Sequence, residues 1–247
     1  MGKFSWAQNE WHETWTSGGT TCTLTMDDHN FYALTVSVAE GQDGVMADYT
    51  ESSPAPWHEY VTDIHTLVIE EGVKEIGKWA FIQFNINSVT LPQSLRVIKT
   101  DAFRNSTMSI IDIPSTVTYI EAGAFHYCEQ LYDVYCYAKA EDILWGGSNA
   151  DFITVEYEMC RTTKMHVFPT RVAAFQSKYG TSLNVTFTAE NMAPTDSWTD
   201  AGNYAESFSS WEGNTITIQN EAELARLAYL LNSGEQSFDQ DGVINLA

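Results

Sequence analysis

Between residues 64 and 136 one phrase is written three times and then begun a fourth: IHTLVIEEGVKEIGKWAF, INSVTLPQSLRVIKTDAF, MSIIDIPSTVTYIEAGAF and LYDVYC. Its Ala-Phe pairs stand at Ala80-Phe81, Ala102-Phe103 and Ala124-Phe125, 22 residues apart each time, and Ile76, Ile98 and Ile120 keep the same step. The apolar pairs Leu67/Ile69, Val89/Leu91 and Ile111/Ile113 follow it too, with Val134/Cys136 one residue late. A period of about 20 to 50 residues limits the fold severely, because one unit has too little apolar surface to fold alone and must bury its face against the next. The expected fold is mostly β, a short solenoid of coils of about 22 residues.

Within each unit, segments such as SVTLP (88–92) and IIDIP (110–114) are short, β-branched and strictly alternating, which predicts strands. Pro92 and Pro114 lack an N–H and end the pairing. A second short extended piece, LRVI or VTYI, precedes the Ala-Phe. Small Ala beside large Phe suits a tight bend that drops one ring per coil into the core, so stacked coils make a column of Phe81, Phe103 and Phe125. Asn85, Ser106 and Cys128 follow the Phe three or four residues on, where a small polar side chain can tie the turn.

These units resemble the BspA-like leucine-rich repeats of bacterial, Bacteroidetes-type cell-surface proteins. The matching features are the L-x-I or V-x-L strand, the Pro after it, the I-x-x-x-A-F phrase and the Cys of AFHYC (124–128). GQDGVMADYTESSPAPW (41–57) is similar to the lead-in found before such repeats. VYCYAKAEDILW (134–145), MHVFPTRVAAFQSKYG (165–180) and LNVTF (183–187) are similar to their closing segment. The 22-residue step is one short of the family's commoner 23. The resemblance implies a leucine-rich-repeat solenoid on an exported protein held at the cell exterior, non-enzymatic, with repeats that bind a protein of a host or neighbouring cell or act as a spacer in adhesion.

The flanks read as lids, since an end coil would otherwise expose its stacking face. Residues 1–62 form the N-terminal β cap, in which TCTLTM (21–26) and ALTVSV (33–38) alternate in period two around the turn residues Asp27, Asp28, His29 and Asn30. The repeats occupy 63–138 and a strand/helix cap 139–188. In that cap Thr170 is the expected N-cap, Val172, Phe175 and Tyr179 share a face, and Gly180 stops the helix. Residues 189–212 hold no Lys or Arg and read as an acidic linker. In 213–247, NTITI (214–218) is a strand, Asn220 to Glu223 a capping box, and Leu224, Leu227, Ala228 and Leu231 one helical face. That stretch resembles the opening of a β-helical module, with GVINLA beginning another strand.

Composition excludes more than it selects. The chain has 33 acidic against 12 basic side chains, a formal charge of −21, which works against phosphate backbones and anionic membranes. No apolar run of about 18 residues is present to span a bilayer, and MGKFSWAQNEW lacks the basic and apolar regions of a signal peptide. Cys22, Cys128, Cys136 and Cys160 match no zinc spacing, nor does Cys160 with His166, so no metal, cofactor or catalytic residue is expected.

What remains is surface. Residues between the buried ones on each strand point outward as adjacent rows: Thr66/Val68, Ser88/Thr90, Ile110/Asp112 and Asp133/Tyr135. These eight are the candidate partner-binding face, against the plainer reading that they are merely solvated. A second hypothesis is a carbohydrate-binding accessory module of a secreted enzyme or adhesin. It rests on eight tryptophans, seven outside the repeats, since planar rings stack on sugars. Against it stands the plainer role of Trp as cap and core filler.

Overall fold

The computed structural model describes residues 3–5, 10–26, 31–86, 88–146, 163–180 and 185–190, together with residue 223 and the strands at 210–212, 215–218 and 243–246. The described chain is mostly β. Four antiparallel strands open it: β1 (Lys3–Ser5), β2 (Glu10–Ser17), β3 (Thr20–Met26) and β4 (Tyr32–Val38). Their alternation buries Cys22, Leu24, Leu34 and Val36. Each repeat then adds one longer strand and one of two residues. The pairs are β5 (Ile64–Ile69) with β6 (Glu75–Ile76), β7 (Ser88–Thr90) with β8 (Val97–Ile98), β9 (Ile110–Ile113) with β10 (Tyr119–Ile120), and β11 (Asp133–Cys136) with β12 (Leu144–Trp145).

Equivalent strands pair in parallel with the period as their register. Leu67 lies opposite Val89, Ile111 opposite Val134, and Ile76, Ile98, Ile120 and Trp145 line up across β6, β8, β10 and β12. Parallel neighbours need a crossover, and the turn through the Ala-Phe bend supplies it. β4 joins this ladder as a rung before the first coil, with Leu34 opposite Leu67 and Val36 opposite Ile69. The longer strands divide into two sheets, β1-β2-β3-β4-β5-β7 and β9-β11-β13-β14, where β13 is Thr163–Val167 and β14 is Val185–Ala189.

The core is a column of rings. Phe81, Phe103 and Phe125 are wholly buried, with successive centroids 5.4 Å apart. The backbone beside them forms a second column, since the Phe81 N–H donates to the Ala102 carbonyl and the Phe103 N–H to the Ala124 carbonyl, both at 2.8 Å. At the N-terminal end Trp57 completes both. Its ring stacks on Phe81 at 6.1 Å, and its indole N–H donates to the Ala80 carbonyl at 2.8 Å, where another coil's Phe would have donated.

Turn ties exist in two coils. Ser106 Oγ donates to the Phe81 carbonyl and Cys128 Sγ to the Phe103 carbonyl, both at 3.0 Å. In the first coil the equivalent position is not Asn85 but the buried Phe84, packed edge-on to Phe81 at 5.5 Å. Asn85 instead reaches the Thr62 carbonyl at 3.5 Å. Each Ala-Phe pair also sits between two left-handed residues: Trp79 (φ 59°), Asp101 (55°) and Gly123 (71°) before it, and Gln83 (62°), Asn105 (58°) and Tyr127 (57°) after. Five of the six carry a Cβ, at about 1–2 kcal/mol each. Replacing exposed Gln83 by Gly should therefore raise stability by about 0.5 kcal/mol, after the greater chain entropy of Gly is offset. Gly123→Ala should lower it by about 1–2 kcal/mol, its Cβ meeting Asp101 Oδ1 at 3.2 Å. Urea unfolding of the two variants measures both signs.

After the last coil, helix α1 (Val172–Tyr179) buries Phe175 and Tyr179 against the core, with Val172 partly buried. Thr170 is not its N-cap. Pro169 fixes φ and starts a tight turn over Pro169–Arg171, so Arg171 takes the cap position with no side-chain cap. Tyr179 Oη and Lys178 Nζ donate to the Ile143 carbonyl at 2.6 and 3.1 Å, fastening the helix to the coil beneath. Gly180 ends it, its N–H donating to the Gln176 carbonyl. At the edges of the acidic stretch, Ala189 is still in β14, and β15 (Ser210–Glu212) pairs with β16 (Thr215–Ile218), itself parallel to β17 (Val243–Leu246). The expected capping box and helix after β16 lie outside the described residues, apart from Glu223.

Candidate binding face on the outward strands

The alternation that buries Leu67, Ile69, Ile111, Ile113, Val134 and Cys136 turns their neighbours away from the core. Register then groups the eight candidate residues. Thr66 lies opposite Ser88 and Val68 opposite Thr90, while Ile110 lies opposite Asp133 and Asp112 opposite Tyr135. The hydrogen-bonded ladder is interrupted between β7 and β9, although the two strands remain neighbours. The structure brings the eight residues together as two groups of four.

The first group extends an uncharged surface. Thr66 and Val68 are half-buried and Thr90 exposed, and across β4 and β3 the rows continue through Ala33, Thr35, Thr23 and Thr25. The second group is charged and aromatic. Ile110 is 51% exposed, beside exposed Asp112. β13 continues these rows with Lys164 opposite Asp133 and His166 opposite Tyr135.

His166 is the centre of that second group. It is buried, its ring stacks on Tyr135 at 4.4 Å and 14°, Nε2 lies 2.8 Å from Asp133 Oδ1, and Nδ1 lies 3.4 Å from Glu190 Oε2. Desolvation first, and then the charges of Asp133, Glu190 and Asp112, hold the Tyr135 phenol above its ordinary value. Desolvation by its neighbours also raises the Asp112 carboxyl, although its surface reaches solvent. Burial first, and then Asp112 and Tyr135, push Tyr137 up to about 12. Tyr137 packs edge-on against Phe168 at 6.1 Å, and the Arg171 guanidinium caps Phe168 at 4.7 Å. Arg171 Nη1 also donates to the Tyr137 carbonyl at 2.6 Å, so this end of the face is braced by a small apolar cluster of its own.

Lys164, His166, Glu190 and Tyr137 were not among the residues the repeat pointed to. Tyr137 is in phase with Asp133 and Tyr135, a signal the alternation carries. His166 and Lys164 follow a long connection that breaks the period, so their register on β11 is not readable from spacing.

Other chemistry is constrained by burial. The thiols of Cys22, Cys128 and Cys136 are each pushed up to about 12, chiefly by burial, so they stay protonated at neutral pH. Cys160 lies outside the described residues. Among the described residues no group of three or more His, Cys, Asp or Glu is placed to hold a metal ion, and no helix is long and apolar enough to cross a membrane. Of the tryptophans whose side chains are described, Trp57 and Trp145 are buried, Trp15 packs on Trp57 at 6.2 Å, and Trp79 lies under the Arg104 guanidinium at 5.7 Å. Trp15, Trp57 and Trp145 thus pack in or against the core, while Trp79 is half-buried on the repeats.

Successive repeats thus set equivalent strands in parallel, with alternate residues turned outward. The family model for the BspA type leucine-rich repeat region matches residues 58–146, in six copies. Those residues belong to the BspA-type leucine-rich repeats. No curated protein matches the chain. Among solved structures, a leucine-rich repeat protein from Eubacterium ventriosum is similar at 20% identity over 51% of this chain and 44% of its own, with a TM-score of 0.31. The pneumococcal vaccine antigen PcpA is similar at 14% identity over 68% of this chain and 46% of its own, with a TM-score of 0.41. A leucine-rich repeat protein from Bacteroides ovatus is similar at 15% identity over 84% and 59%, with a TM-score of 0.30. The chain thus spans about half the length of the solved structures it matches, with 44%, 46% and 59% of those chains covered.

Proposed function

We propose that this is a non-enzymatic, exported bacterial surface protein whose repeats form a short solenoid closed by a β cap and a strand/helix cap. Its outward strand face binds a protein on a host or neighbouring cell. The division into 1–62, 63–138, 139–188, 189–212 and 213–247 belongs to the same reading. The single observation that carries it is Ile110, 51% exposed on a strand whose other face is wholly buried, beside Asp112, Asp133 and Tyr135. Nothing in a solvated strand requires an isoleucine there, whereas the core of an interface does. The family supports the surface location. A net charge of −21 and the carboxylates of Asp112, Asp133 and Glu190 favour a basic patch on the partner.

Ile110→Lys together with Asp112→Lys is the direct test. Both side chains are exposed, so stability should change by no more than about 0.5 kcal/mol, while capture of the partner from cell-surface extract is lost. Tyr135→Lys is a poorer probe, because the ring is stacked on buried His166 and its loss disturbs that site. Capture that survives the double variant assigns the array a spacer's role.

A further inference from the structure

The 22-residue step first breaks after Phe125, and the place of that break is informative. Ala-Phe pairs keep the step through Phe125, and from Phe81 and Phe103 the buried anchors that lead into the next strand, Ile86 and Met108, stand five residues on. From Phe125 the corresponding anchor, Leu131, stands six residues on, so the extra residue falls within the turn 126–130. In the preceding coil the Thr107 N–H donates to the Phe84 carbonyl at 3.0 Å, tying one coil to the next. The Glu129 N–H, at the equivalent position 22 residues on, instead donates to the Tyr127 carbonyl of its own turn at 2.9 Å. Where that tie is replaced, a pocket of about 280 Å³ opens between the coils, lined by Asn105, Ser106, Thr107, Tyr127, Glu129 and Gln130.

We propose that this pocket is a binding site for one neutral pyranose unit of a glycan. Its size admits a single six-membered ring with its hydroxyls, just under the range of drug-sized sites. Its groups match a polyhydroxylated ligand. The Glu129 carboxylate accepts from two neighbouring hydroxyls, the Asn105 and Gln130 amides both donate and accept, and the Thr107 hydroxyl, whose proton goes to Asn85 Oδ1 at 3.1 Å, accepts. Tyr127 adds a phenol on a ring already held in place, stacked on His126 at 4.0 Å and 12°. That pre-ordering removes part of the entropic cost of binding. An anionic sugar is disfavoured by Glu129 and by the chain's charge of −21. A cation is disfavoured because the Arg104 guanidinium already lies 5.2 Å from the Tyr127 ring centre, occupying the position a cation would take. The pocket is on the Ala-Phe turns, away from the outward strands, so it stands independently of the protein-binding face.

Saturation-transfer NMR on the full chain, with the methyl glycosides of glucose, galactose, mannose and N-acetylglucosamine, tests this. At least one should receive transfer. Glu129→Ala should weaken its binding roughly tenfold or more, since a charged hydrogen-bond partner is removed. Deleting Gln130, which restores the 22-residue step, should abolish binding, and Ile110→Lys should leave it unchanged. If the deletion fails to fold, Glu129→Ala and Gln130→Ala, both at exposed positions, carry the test. No transfer to any of the four glycosides overturns the proposal. So does binding that survives both point variants, or transfer to arginine methyl ester in their place.

Discussion

Phe103→Ala should destabilise the protein by about 3–5 kcal/mol, the largest loss expected of any single side chain in the array. Phe103 is wholly buried and is the middle ring of the column, with Phe81 and Phe125 each 5.4 Å away. Truncation therefore removes contacts on both sides at once and leaves a cavity that the coils can close only by bending the backbone ladder. That ladder resists, because the Phe103 N–H and the Phe81 N–H donate to neighbouring Ala carbonyls at 2.8 Å. Urea unfolding followed by circular dichroism gives the free energy. Phe103→Leu, which keeps most of the volume, should recover a large part of it. A loss below about 1 kcal/mol for the alanine variant would contradict a close-packed column.

Trp57→Ala should cost a similar amount, about 3–5 kcal/mol, but for two separable reasons. The indole closes the ring column over Phe81, and its N–H satisfies the Ala80 carbonyl at 2.8 Å. Trp57→Phe isolates the second. It keeps an aromatic ring and leaves the acceptor of buried Ala80 without its donor, at about 1–3 kcal/mol. Amide hydrogen exchange adds a spatial reading. Protection should fall first in the coil containing Phe81 and last near Phe125, because repeats transmit stability only through their neighbours.

The repeat and the ring column are legible in the sequence because periodicity needs no tertiary information: Phe81, Phe103 and Phe125 announce themselves by spacing. Trp57 does not, since it occurs once and 24 residues before Phe81, outside the step it completes. The left-handed turns are legible only in part. Of the six positions Gly123, Asn105 and Asp101 are residue types that favour positive φ, whereas Trp79, Gln83 and Tyr127 are forced there by the crossover. Asn85 was a near miss of the same kind: a polar residue in the right turn, one place beyond the position that ties it. On the candidate face, the outward phase of Ile110 and Tyr135 follows from alternation alone. The interruption between β7 and β9, which splits the eight residues into two groups, depends on pairing and is invisible to spacing. His166 reaches Asp133 across 33 residues, a contact no local pattern encodes.

The column of Ala carbonyls and Phe amides has a consequence for length. Every rung offers the next coil the same acceptor and the same donor, so the array contains no internal statement of how many coils it should have. At its first end an indole N–H substitutes for a backbone amide. Coils could therefore be gained or lost in whole units without redesigning that backbone ladder. The reach of the outward face is then a quantity that duplication can adjust, while Trp57 keeps the starting point fixed.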